Sequence, residues 1–123
     1  MTIIEAINRI DHLKPNAYSQ QDKVRWLSSL DGVVKREIID THEGGEDVIF
    51  EGYNEEMLTT ELLIPAPYDE VYVRYLEMQI DYANAEYAKY NNSAAEYNTA
   101  FSAFEKNYNR DHKPRSYGPR FLF

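Results

Sequence analysis

The chain has 123 residues, enough for one domain with a core of its own. It contains no cysteine, which excludes disulfides, thiolate metal sites and cysteine nucleophiles. Its formal charge of −8, from 21 acids against 13 lysines and arginines, argues against nonspecific nucleic-acid binding, which depends on cations neutralising phosphates.

Residues 2–13 place Ile3, Ile7 and Ile10 on one stripe, with Ile4 and Leu13 beside it. This spacing predicts an amphipathic helix capped by Thr2 and ended by Pro15. Charged residues interrupt the N-terminal apolar positions, so no signal peptide is expected, and no apolar run reaches membrane-span length. A soluble cytoplasmic product is the expectation.

Ser19-Gln-Gln-Asp22 resembles a capping box and predicts a second helix over about 20–41. Its stripe is Val24, Leu27, Leu30 or Asp31, Val34 and Ile38. Gly32 lies inside this helix, where a kink or a close approach is expected, and Gly44-Gly45 supplies the stop. Glu37, Asp40, His42 and Glu43 are the one cluster with metal-ligand chemistry. Their place at a solvent-facing helix end favours a charged terminus over a metal site.

Residues 46–64 change character. The β-prone runs 47–53 and 59–64 flank Asn54, Glu55 and Glu56 and are expected to form a hairpin or, failing that, an extended loop. Between residues 37 and 73 there are eleven acids and no lysine or arginine. Glu43, Glu46, Asp47, Glu51, Glu55 and Glu56 are therefore candidates for an acidic surface. From Arg110 onward the balance reverses, which suggests head-to-tail association of complementary charge, against the alternative of a solvated loop and a solubilising tail.

A third helix is expected from Tyr68 or Asp69 to about Tyr90, apolar or aromatic over much of its circumference and hence central. Asn91-Asn92 is read as a break and Ser93-Ala-Ala-Glu96 as the capping box of a fourth helix, with the stripe Tyr97, Ala100 or Phe101, Phe104 and Tyr108. A tight break would give an antiparallel hairpin; a kink would give one bent helix. His12 and His112 are expected to be exposed.

Seven of the eleven tyrosines fall between Tyr68 and Tyr97. Tyrosine offers a large contact area with a polar tip, so Tyr75, Tyr82 and Tyr90 are candidate subunit contacts, with core positions as the alternative. Residues 114–123 carry Pro114, Gly118 and Pro119, and end in Phe121, Leu122 and Phe123. Burying each of these three stabilises by roughly 1.5–3 kcal/mol. An extended arm, covered by its own body or by a partner and weighted toward the partner, is expected there. Arg115, Tyr117, Arg120, Phe121, Leu122 and Phe123 are its candidate contacts.

No phosphate-binding glycine loop, nucleophile elbow or calcium loop is present, so no enzyme activity and no cofactor are expected. The expected fold is all-α: a single helical domain over 1–113, with an excursion at 44–66 and the arm at 114–123.

The run from Trp26 to His42, Pro67-Tyr-Asp-Glu70, Gln79-Ile-Asp-Tyr-Ala-Asn84 and the stretch from Glu86 to Ser93 resemble a family of short proteins of Gram-positive phages and prophages, the head–tail connector (adaptor, head-completion) proteins. The similarity covers roughly residues 3–110. It implies a non-enzymatic helical subunit of the virion, made in the host cytoplasm, that forms a homo-oligomeric ring between portal and tail proteins while DNA passes without specific binding. The rival reading is a small acidic interaction or inhibitory module for a basic protein. A metal-dependent hydrolase using Glu37, Asp40 and His42 is a remote third.

Overall fold

The computed structural model describes residues 1–115. Within them the chain forms four helices: α1 Ile3–Leu13, α2 Gln20–Val33, α3 Glu70–Ala83 and α4 Tyr87–Asp111. The all-α expectation holds, and no strand forms among the described residues.

The two N-terminal caps form as the sequence indicates. Thr2 Oγ1 accepts from the Glu5 N–H while the Glu5 carboxylate accepts from the Thr2 N–H, a full capping box on α1. Ser19 Oγ accepts from the Asp22 N–H and opens α2. Ile3, Ile7 and Ile10 of α1, and Val24, Leu27 and Leu30 of α2, are buried as their stripes require.

Past Val33 the second helix widens. Val34–Ile39 is a π-helical segment in which the Asp40 N–H donates to the Lys35 carbonyl at 2.9 Å. The wider turn brings Val34, Ile38 and Ile39 into the core together, a spacing that a 3.6-residue repeat does not give. Gly44 then takes φ 86°, and Gly45 packs so closely on the Ile39–Asp40 backbone that a Cβ there would collide with the Ile39 carbonyl oxygen.

The hairpin expected at 46–64 is absent. Gly45–Asp47 is one 3₁₀ turn, and the chain then runs extended and through turns to Pro65. Its backbone bonds go to α1 rather than across a hairpin: the Ile3 N–H donates to Thr60, the Ile4 N–H to Leu58, and the Leu62 N–H to Met1. The β-prone residues find better partners than each other, because Leu62 and Ile64 bury their side chains in the helical core.

The expected break at Asn91-Asn92 is also absent. α3 ends at Ala83, and the reversal occurs at Asn84, Ala85 and Glu86, with Ala85 in the left-handed region at φ 57°. α4 runs unbroken through Asn91 and Asn92. Ser93 is a buried mid-helix residue whose hydroxyl donates to Asp81 at 2.9 Å, so it caps nothing. The result is an antiparallel α3–α4 hairpin, in which α3 also packs against α1 and α2. The central place expected of the third helix is thus observed. α4 buries only Phe104 and Ser93 fully and lays Tyr97, Phe101 and Tyr108 half-buried on the outside.

Candidate functional site

Three features dominate the chemistry of the described residues: a buried carboxylate, an acidic exposed segment and an aromatic cluster at one end of the helical hairpin.

Asp31 lies on the apolar stripe of α2 and is completely buried. Its Oδ1 accepts from the Tyr72 hydroxyl at 2.6 Å, and its Oδ2 accepts from the Tyr53 hydroxyl and from the Leu63 N–H at 3.0 Å. The Tyr72 oxygen also accepts from the Ile64 N–H at 2.7 Å. One side chain thereby ties α2, α3 and the 53–64 segment together. Burial pushes the Asp31 carboxyl above its ordinary range, against the pull of its three donors. Burial first, and the Asp31 charge second, push the Tyr53 and Tyr72 phenols far above theirs, so both keep their protons and donate. The sequence signal for this site was a carboxylate on a stripe otherwise made of valine, leucine and isoleucine.

A second buried carboxylate, Asp81 on α3, accepts from Ser93 and pairs with Lys14 beyond the end of α1. Lys23, itself buried, donates to Asp11 at 2.6 Å and to the Tyr18 carbonyl at 2.9 Å. These pairs join elements.

The cluster Glu37, Asp40, His42 and Glu43 does not converge. Glu37, Asp40 and Glu43 are exposed, as the helix-end reading required, but His42 is buried against the expectation of a solvent-facing cluster. Its Nε2 lies 2.7 Å from Asn109 Oδ1 and its Nδ1 2.5 Å from the Ile38 carbonyl oxygen, with the ring edge-on to Tyr108. The π turn rotates it inward, toward α4. No group of three or more histidines and carboxylates among the described residues could hold a metal ion. His12 and His112 are exposed, as expected.

The six acids singled out, Glu43, Glu46, Asp47, Glu51, Glu55 and Glu56, are all exposed. Among the described residues only Glu46 has an ion-pair partner, Arg115 at 2.6 Å. Arg115 of the basic tail thus meets the acidic segment of its own chain. Lys113 and Arg115 extend this contact through the backbone: the Glu43 N–H donates to Lys113 at 2.8 Å and the Arg115 N–H to Thr41 at 2.9 Å. Arg115 Nε donates to the Asp40 carbonyl as well. Tyr117, Arg120, Phe121, Leu122 and Phe123 lie outside the described residues.

The three tyrosines named as contacts separate. Tyr75 is half-buried against Tyr97 at a ring distance of 5.3 Å, and burial raises both phenols, that of Tyr97 to about 12. Tyr82 and Tyr90 instead form an outward-facing cluster with Tyr87, at 5.3 and 6.2 Å from the Tyr82 ring. Tyr82 and Tyr87 are each 59 % exposed. Tyr87, on the first turn of α4, was not singled out because the expected position of the helix break hid its place at the tip of the hairpin.

No helix among the described residues is long and apolar enough to cross a membrane. No family model, curated protein or solved structure matches the chain.

Proposed function

We propose that this protein is a structural subunit of a phage head–tail connector, assembling as a ring between portal and tail. The observation that carries the reading is the surface. Large aromatic side chains stand exposed at the α3–α4 tip, far along the chain from the exposed acids of the 43–56 segment, on a helical body. A closed ring needs two different patches per subunit, one meeting the other next door. Tyr82, Tyr87 and Tyr90 supply an aromatic patch of the kind enriched in interfaces. The resemblance of residues 3–110 to connector sequences gives the setting. In the ring, the acids at 43, 46, 47, 51, 55 and 56 face the channel and repel passing DNA; a ring with these acids on its outer rim would contradict that placement.

The test is direct. Purified protein is added to portal-containing, DNA-filled heads that lack a tail, and binding is followed by sedimentation and electron microscopy. Rings on the portal vertex are expected, and failure to bind the heads would sink the proposal.

A second reading, an acidic module that captures a basic protein, is favoured by the same six acids, of which only Glu46 is paired among the described residues. Such a module would bind a basic partner with strong salt dependence, stay monomeric or dimeric in light scattering and ignore the heads.

A further inference from the structure

Residues between Ile49 and Leu63 line a cavity of about 450 Å³, within the size range of small-molecule sites. The chain bends there at Gly52, whose φ of 98° side chains rarely allow. Tyr53 is then pinned twice: its N–H donates to Ser28 Oγ at 3.0 Å and its hydroxyl to the buried Asp31 carboxylate. Its ring meets Phe50 edge-on at 5.0 Å. A turn follows, in which Asn54 Oδ1 accepts from the Glu56 N–H at 2.8 Å and the Asn54 carbonyl from the Met57 N–H at 3.0 Å. These bonds shape the cavity before any ligand arrives.

The lining selects a chemistry. Ile49, 80 % exposed, joins Phe50, Met57 and Leu63 in offering apolar surface. The charged groups are Glu51 and Glu61, and no lysine, arginine or histidine lines the cavity. Of the two carboxylates only Glu61 is in an ion pair among the described residues, with the Met1 ammonium at 3.0 Å. An anion would be repelled by both. A wholly apolar ligand would strip water from Glu51 and give nothing back, and a small polar cation would leave the apolar walls wet. A protonated amine on an aliphatic stem meets every demand. Its stem covers the apolar walls, its ammonium donates to Glu51, and the aromatic rings of Phe50 and Tyr53 favour a cation nearby.

We infer that this cavity is a binding site for a protonated alkylamine, with the stem on Ile49, Phe50, Met57 and Leu63 and the ammonium on Glu51. The site goes beyond the connector reading and needs only the isolated protein, so it survives a failure to bind heads.

The experiment titrates the full chain with hexylamine, hexanol and hexanoate at neutral pH and constant ionic strength, followed by ¹H–¹⁵N spectra. Hexylamine is expected to shift the amides of residues 49–63 saturably and to bind at least tenfold more tightly than hexanoate, with hexanol between them. Glu51 is exposed, so Glu51→Gln should leave the helices intact while weakening hexylamine about threefold and narrowing its lead over hexanol. Equal binding of the three probes, no saturable shift, or shifts spread over the other exposed acids instead of the cavity would overturn the inference. So would a Glu51→Gln chain that binds hexylamine as the natural one does.

Discussion

Replacing Asp31 by alanine removes the one acceptor shared by Tyr53, Tyr72 and the Leu63 N–H. Donors left buried without a partner cost more than the bonds themselves were worth, so a loss of about 3–5 kcal/mol is expected in urea unfolding. Tyr53→Phe, which removes one bond at a half-buried position, should cost only about 1 kcal/mol. The pH dependence has a definite sign. Burial raises the folded-state pKa of Asp31 above its unfolded value, so its contribution to stability is full below the ordinary carboxyl range and declines as pH rises through the raised value. The stability of the natural chain relative to Asp31→Asn should therefore fall as pH rises above the ordinary carboxyl range, measured by urea titration at each pH. A relative stability that rose with pH would mean that the three donors outweigh burial.

The turns between elements make the next set of expectations. Gly44 and Gly45 are adjacent but constrained for different reasons. Gly44→Ala meets nothing within 4 Å and costs only the left-handed backbone, about 1 kcal/mol, whereas Gly45→Ala drives a methyl into the Ile39–Asp40 backbone and should cost at least about 3 kcal/mol. At the α3–α4 reversal, Ala85 holds φ 57°, so Ala85→Gly should stabilise by about 0.5–1 kcal/mol in thermal or urea unfolding. Element positions were legible where a local rule decides them: Thr2 and Ser19 capped their helices as read. The misreadings came from equally local signals that tertiary contacts overrode. Ser93 has the sequence of a cap, but Asp81 on the neighbouring helix takes its hydroxyl. The 47–53 and 59–64 runs have strand composition, but α1 takes the backbone of 58–62 and the core takes Leu62 and Ile64.

At the scale of the whole molecule, the proposed assembly should separate from folding. Tyr82 and Tyr87 are each 59 % exposed, so Tyr82→Ser with Tyr87→Ser should change unfolding free energy by no more than about 1 kcal/mol while weakening ring formation on portal-containing heads by at least tenfold. A double variant that assembles normally would remove the aromatic tip from the interface. Ionic strength offers a second lever. The Arg115–Glu46 pair lies at the surface, and such pairs contribute about 0–1 kcal/mol, so salt should leave the fold intact.

The amino-acid sequence by itself determined the helical class, the two capped N-terminal helices, the buried stripes and the acidic, exposed character of the 43–56 segment. Each follows from periodicity, cap chemistry or charge, which neighbouring residues are enough to express. Only the tertiary structure decided what depends on residues far apart in the chain. It made Asp31 the acceptor for Tyr53 and Tyr72, turned His42 inward to Asn109, moved the helical reversal to Ala85 and brought Arg115 onto Glu46. For Asp31 and His42 the physical reason is the same. A buried polar group must find its partner wherever the packed chain presents one, and sequence spacing carries no record of partners 22 to 69 residues away.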